Sequence, residues 1–331
     1  MKTPLLQLSD VQQARVRLNG GIRLTPCVRT THLSDLVGAH LFLKRDDLQR
    51  TGSFKERGAR HALLSLSADE RDRGIVAASA GNHAMGLAFH GAALGIRVTV
   101  VMPVTAPVVK IARCRGLGAD VLLRGAGFEQ AQSFAENLAA STGATSLHPF
   151  DDLRVIAGQG TMALEILEQT PFLDTLVIPV GGGGLLAGVA TVIKALRPEV
   201  RLIAVEPENA AGFLAACVHG SPRHALLAPT VADGLAVSCV SETTFALAAS
   251  LVDDVVTVSE SEIAAAVSLL ARKEGIIAEG AGAVPMAAVL AGKVRGHAIV
   301  APIGGRNIDA RLHERLVAAG DRRPDMLEQA A

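Results

Sequence analysis

The chain has 331 residues, with 32 Lys plus Arg against 32 Asp plus Glu, so its formal net charge is zero; at about 150 residues per domain, this is length for two domains or one large one. A neutral chain lacks the cationic excess with which sequence-independent nucleic-acid binders displace counterions, and nine Phe with no Trp or Tyr leave few base-stacking platforms and no tyrosine acid or base. An apolar fraction of 49% with 33 Gly supplies a buried core and argues against global disorder.

Met1 to Gly20 mixes Lys2, Asp10, Arg15 and Arg17 with apolar residues and lacks the apolar centre of a signal peptide. Runs rich in Val, Ile and Leu then recur at His40–Leu43, Ile75–Ala78, Arg97–Met102, Val121–Leu123, Leu176–Val180, Leu202–Val205, Val255–Val258 and Ala298–Ala301. They do not alternate with polar residues, as expected of strands covered on both faces of a parallel sheet. Helical patterns lie between them. Ser67 and Glu70 form a capping box before a short helix that Gly74 stops. Leu185, Val189, Val192 and Leu196 recur at helical spacing up to Arg197-Pro198, and Ser259 with Glu262 opens a helix that ends at Gly275. This alternation predicts an α/β protein with two open, mostly parallel sheets and flanking helices. Thr175 to Ile193 is uncharged, but Pro179 and Gly181 to Gly184 interrupt it, so it reads as strand, loop and helix and no membrane association is expected. The polar tail from Gly320 to Ala331 is expected to fray. Cys27, Cys114, Cys217 and Cys239 stand far apart without a C-x-x-C pair, which implies reduced thiols and a cytoplasmic protein.

Three segments carry residues suited to chemistry. Thr51-Gly52-Ser53-Phe54-Lys55 runs into a helical pattern at Ala62, Leu63 and Leu66, placing Lys55 in the first turn. That end of a helix favours anions, so a lysine there is electrostatically misplaced. Most lysines are plain surface residues, but an amine kept deprotonated at such a position suits a Schiff-base nucleophile. Ser79-Ala80-Gly81-Asn82-His83 follows a strand and either holds a carboxylate at a helix N-terminus or is an Asn turn with a capping serine. A lone histidine such as His83 is more often a satisfied structural residue than a base. Gly181-Gly182-Gly183-Gly184-Leu185 lies between strand and helix, where successive backbone N–H groups can face a phosphate. The same glycines support a rival reading. Gly182-x-Gly184-x-x-Ala187, with Glu206 at the end of the next strand, also fits the fingerprint of an NAD(P)-dependent oxidoreductase. That reading leaves the first two segments unexplained.

Taken together, Ser53–Ala59, Ser79–His83, Gly181–Gly188, Thr230–Val237 and Glu279–Ala283 resemble the serine/threonine dehydratase family of tryptophan-synthase-β-like pyridoxal-phosphate enzymes. The resemblance extends from Leu24 to Asp309, with Arg45-Asp46-Asp47, Met102-Pro103 and His148-Pro149-Phe150-Asp151 in matching order. It implies a large subdomain of residues 1–50 and 147–331, a small one of residues 51–146 with the lysine and the asparagine loop, and pyridoxal 5'-phosphate in the cleft between them. By this resemblance Lys55 forms the Schiff base, Phe54 packs near the cofactor ring, and Asn82 bonds its O3′ oxygen. Gly181 to Gly184 with Leu185 cradle the phosphate, and Glu279 and Gly304 lie near the pyridine ring. Ser79, Ala80, Gly81, Asn82 and His83 surround the substrate carboxylate, while Thr51 and Gly52 shape the substrate pocket. The implied reaction is β-elimination from a small β-hydroxy amino acid, L-threonine or L-serine, giving a 2-oxo acid and ammonia. Alternatives are a 3-hydroxyaspartate ammonia-lyase, with Arg57 or Arg306 as the acid-binding group, then an amino-acid racemase or a catalytically silent cofactor binder. A homodimer or homotetramer is expected, without a C-terminal regulatory domain.

Three departures from the family's pattern stand out. Gly304 occupies the position where the family carries a serine or cysteine against the pyridine nitrogen, and Arg306 replaces a nearby glycine. Ala80 stands where racemases of the family carry a serine, which argues against proton transfer on two faces. Glu206 and Ala210 match two ligands of the family's divalent-cation site, but Gly212 replaces the Asp, so no metal is expected.

Overall fold

The Val-, Ile- and Leu-rich runs become strands whose alternate residues enter two different cores. In the computed structural model, which describes residues 5–320, the strands are β1 (Cys27–Arg29), β2 (His40–Lys44), β3 (Ile75–Ala78), β4 (Val98–Met102), β5 (Asp120–Leu123), β6 (Thr145–Ser146), β7 (Thr175–Pro179), β8 (Arg201–Pro207), β9 (Asp254–Val258) and β10 (Ala298–Pro302). The polar tail expected to fray lies, beyond Gly320, outside the described residues. Six strands form one sheet in the order β1-β2-β10-β7-β8-β9, and four form another in the order β5-β4-β3-β6. All pairings are parallel except that of β1 with β2. On β8, Leu202 and Ala204 join one apolar cluster while Ile203 and Val205 join another. On β3, Ile75 and Ala77 divide in the same way from Val76 and Ala78. Burial on both faces is why these runs lack alternation.

Eight strands stand where the apolar runs predict them. The two unpredicted strands, β1 and β6, are three and two residues long and lie at sheet edges, too short to leave a periodic pattern. Thr175 to Ile193 is strand, glycine loop and helix, and among the described residues no helix is long and apolar enough to cross a membrane. The helices Leu153–Gln169 and Gly184–Leu196 pack backbone to backbone: a Cβ on Gly188 would lie 2.4 Å from the Ile156 carbonyl oxygen.

The helix that begins at Lys55, Lys55–Leu64, is anchored by buried charge. Arg57 is fully buried; its Nε and Nη2 donate to Asp46 at 2.6 and 2.8 Å, and Nη1 and Nη2 donate to Glu165 at 2.7 and 2.8 Å. Lys44, also buried, donates to Glu165 at 2.5 Å and to the Thr25 carbonyl at 2.6 Å. Two cations and two anions therefore neutralise one another, three of them fully buried or nearly so and Glu165 only slightly exposed. Burial alone would raise the pKa of Asp46, but the charge and hydrogen bonds of Arg57 hold it below the usual carboxylate range. Truncating one member strands the others. Arg57→Met is expected to cost about 3–5 kcal/mol in urea unfolding of the cofactor-free protein. Arg15→Met, which breaks the exposed Arg15–Glu168 pair, is expected to cost no more than about 1 kcal/mol. Equal losses would contradict this account of the buried cluster.

Candidate active site

Lys55 is the first residue of its helix, and its Nζ donates to the carbonyl oxygen of Pro149 at 2.9 Å. The side chain stays partly exposed, yet protein packs closely enough around the amine for desolvation to lower its pKa to about 8. The Phe54 ring lies beside it, 5.4 Å from Nζ to the ring centroid, and the Phe54 N–H donates to the Gly304 carbonyl at 3.0 Å.

From the carbonyl that Lys55 contacts, the chain leads to the glycine loop. A Cβ on Gly182 would lie 2.3 Å from the Phe150 ring, and one on Gly183, whose φ is +88°, would lie 2.8 Å from Oγ1 of Thr244. Glycine is required at both places by close approach, and at Gly183 by backbone conformation as well. Gly184 opens the helix Gly184–Leu196. Among the described residues, the amides of Gly181 to Gly184 donate to no protein acceptor. Free N–H groups at the positive end of a helix form an anion site, which fits a phosphate. Leu185 packs its side chain into the apolar core beside that loop.

A hydrogen-bonded chain links Glu279, Asn82, Asn307 and Thr51. Asn82 opens the helix Asn82–Leu94, and its Nδ2 donates to Oε1 of Glu279 at 2.7 Å. Nδ2 of Asn307 donates to Oδ1 of Asn82 at 2.6 Å and to the Thr51 carbonyl at 2.9 Å. Burial raises the pKa of Glu279 to about 7 against the lowering effect of Asn82. A Cβ on Gly305 would lie 2.0 Å from Oε1 of Glu279, whereas one on Gly304 would meet only the Phe54 ring, at 3.4 Å. A Cβ would therefore fit at Gly304, where the chain carries no side chain to face a ligand.

Among the described residues, several buried polar atoms here have no partner of good hydrogen-bond geometry: Oγ1 of Thr51, Oγ of Ser53, Oδ1 of Asn307, and both ring nitrogens of His83, whose ring lies near the Leu147 backbone. Burial, then the charges of Lys55 and His148, hold the His83 pKa at about 3, so its imidazole is neutral. Unpaired buried polar groups are costly and uncommon, and a polar ligand seated here would supply their partners. Ser79 and Gly81 are partly exposed and bonded to each other, Gly81 N–H to Ser79 Oγ at 3.3 Å, and the adjacent Ala80 carries no polar group.

The desolvated, partly exposed lysine amine, the free amides of the glycine loop and the unpaired polar atoms fit an anionic, aldehyde-bearing cofactor. Arg57 is consumed by structural ion pairs, so the acid-binding role considered for it is withdrawn, while Arg306 is exposed. Glu206 is fully buried, with both oxygens accepting backbone N–H groups, from Phe213 and Leu214 at 2.8 Å each, so a ribose hydroxyl has no access to it. The lysine, asparagine and glycine segments announced themselves in sequence. The Pro149 carbonyl, Thr244 beneath Gly183 and the bridging role of Asn307 did not, because only folding brings them to the site.

A family model described as pyridoxal-phosphate dependent enzyme matches residues 18–305. An L-threonine ammonia-lyase of Thermotoga maritima is 43% identical over 317 residues, covering 96% of this chain and 79% of that protein. Among solved structures, the processed form of threonine deaminase isoform 2 from Solanum lycopersicum superposes with a TM-score of 0.89 at 37% identity, covering 97% of this chain and 91% of that one. Maize serine racemase superposes with a TM-score of 0.90 at 29% identity, covering 96% and 98%. The dinucleotide reading of residues 175–206 is thereby set aside. The chain belongs to the pyridoxal-phosphate-dependent enzymes, in the family of serine/threonine dehydratases that its motifs resemble.

Proposed function

We propose that this enzyme is a lyase that eliminates water from L-threonine, and from L-serine, leaving an enamine that water then hydrolyses, through its imine, to a 2-oxo acid and ammonia. The observation that carries the reading is Lys55: a helix-initial lysine whose amine is enclosed, has a pKa of about 8, and bonds only a backbone carbonyl. Such an amine is about one tenth deprotonated at pH 7, far more than an ordinary lysine, and can serve as nucleophile and then as base. The names of the Thermotoga maritima and Solanum lycopersicum relatives support threonine as substrate.

Pyridoxal phosphate, when bound, supplies the electron sink that makes a Cα proton removable. The amides of Gly181 to Gly184 and Leu185 would hold its phosphate and Asn82 its ring oxygen, with Phe54, Glu279 and Gly304 beside the ring. Ser79, Ala80, Gly81, Asn82 and His83 would receive the substrate carboxylate, with His83 acting as a neutral hydrogen-bonding group. Lys55 would take the Cα proton on Nζ, and the β-hydroxyl would depart with one proton as water, which balances the proton removed. Asn82 can turn neither way freely, since Glu279 accepts from its amide nitrogen and Asn307 donates to its oxygen. Ala80 offers no hydroxyl for proton transfer from a second face, which favours elimination over racemisation. The 3-hydroxyaspartate alternative now rests on Arg306 alone. We further propose the division into residues 51–146 and residues 1–50 with 147–331, and a cytoplasmic homodimer or homotetramer. The first is supported by the two separate sheets, with β3 to β6 in the small part.

The holoenzyme is expected to show a visible cofactor band and to form 2-oxo acid from L-threonine and L-serine faster than from 3-hydroxyaspartate. Lys55→Ala should lose both the band and the activity; turnover retained by a folded Lys55→Ala protein would remove the lysine from the mechanism. Capture of pyridoxal phosphate by the apoenzyme requires the unprotonated amine, so its rate should rise with pH through a midpoint of about 8 and level off above it. A midpoint at the ordinary lysine value, about 10.4, would contradict the enclosed-amine assignment.

A further inference from the structure

Beside Lys55 stands a buried carboxylate that the proposed chemistry leaves unused. Glu56 is fully buried, and its Oε1 accepts the backbone N–H of Thr51. Its Oε2 lies 3.2 Å from Nε2 of His90, which is also buried, and Nδ1 of His90 lies 3.3 Å from Nη1 of Arg60. A guanidinium only donates and a carboxylate only accepts, so these neighbours select one neutral tautomer. Nδ1 of His90 accepts from Arg60, and its Nε2–H donates to Glu56. Burial lowers the His90 pKa, in keeping with a neutral ring.

The helices that carry these groups are held close. Glu56 and Arg60 are four residues apart on one face of Lys55–Leu64 and both meet His90 of Asn82–Leu94. Gly86 of the second helix permits the approach: a Cβ there would lie 3.1 Å from Cβ of Ala59 and 3.4 Å from the Lys55 carbonyl oxygen. Thr51 is thus fixed at both polar groups of its backbone. Glu56 takes its N–H, while Asn307 donates to its carbonyl at 2.9 Å and Arg113 at 3.3 Å. The next residue, Gly52, has φ +83°, and a Cβ there would lie 2.8 Å from Oδ1 of Asn307. Thr51 Oγ1 and Ser53 Oγ, on either side of Gly52, are buried and unpaired, so the setting of this turn decides what polar group they can meet.

We propose that Arg60, His90 and Glu56 form a positioning relay that fixes the turn at Thr51 and Gly52 and thereby sets how tightly the amino-acid substrate is held. The proposal rests on reading that turn as a wall of the substrate pocket. Lys55 leaves the same helix toward Pro149, so the relay acts on substrate binding and not on cofactor attachment.

The test is steady-state kinetics of the holoenzyme on L-threonine, with hydrogen exchange of the peptide spanning Thr51 to Phe54. Glu56→Gln preserves shape and an acceptor for Thr51 but cannot accept the His90 proton without turning that acceptor away. Arg60→Gln alters only the partly exposed end of the relay, where folding is least at risk. The expected KM rises are about tenfold for Glu56→Gln and about threefold for Arg60→Gln, with kcat within about twofold and the cofactor band unchanged. The double variant should resemble Glu56→Gln alone, because the relay is already broken. Exchange at the Thr51 peptide should quicken in both single variants. Multiplying KM effects, a kcat loss at constant KM, or unchanged exchange in a folded Arg60→Gln protein would overturn the relay. Failure of the unaltered holoenzyme to turn over threonine would count against the functional reading; the exchange measurement then still decides whether the relay holds the turn.

Discussion

The guanidinium of Arg57, enclosed by Asp46 and Glu165, sets the position of the helix from which Lys55 projects. Asp46 follows the end of β2 and Glu165 belongs to the helix Leu153–Gln169, so the arginine ties the lysine's helix to the six-stranded sheet and to one of the helices covering it. Such a cluster is costly to desolvate and contributes stability only while every charge is matched. That condition gives it geometric force. Displacement of the helix by even a small distance leaves a buried charge without its partner.

Three successive residues, Lys55, Glu56 and Arg57, use that anchoring in three directions. Arg57 faces β2 and the Leu153–Gln169 helix, Glu56 faces His90, and Lys55 reaches the Pro149 carbonyl. Pro149 and Phe150 then connect the lysine to the glycine loop, since Phe150 packs where side chains on Gly182 and Gly184 would stand. The zero net charge of the chain is consistent with anion binding here, because the positive potential is local and comes from backbone amides at a helix N-terminus. A phosphate held by free amides needs no cationic side chain beside the reactive lysine, whose low pKa a second cation would push lower still.

Much of the fold was readable because it rests on local pattern. Continuous apolar runs marked eight parallel strands, and the capping boxes at Ser67 and Ser259 marked helix starts. The short edge strands β1 and β6 carried too few residues for any pattern. Within the site, the lysine, asparagine and glycine segments stood out, since each pairs unusual residue types with a strand–helix junction. Arg57 could not be assigned from sequence, because its carboxylates lie 11 and 108 positions away and only folding makes it structural. The burial of His83, with neither ring nitrogen in a hydrogen bond of good geometry, is a property of the fold that the motif alone does not show. Gly304 was recognised as a departure, but only the fold shows that the space beside it faces the Phe54 ring.

We propose that Lys55 is the residue that carries the cofactor. Borohydride reduction of the holoenzyme, followed by peptide mass mapping, tests it most directly. A pyridoxyl-phosphate mass on the peptide containing Lys55, and no other lysine peptide, is the predicted result. The label on another lysine, such as Lys110 or Lys44, or no label in a protein that retains its visible band, would contradict it.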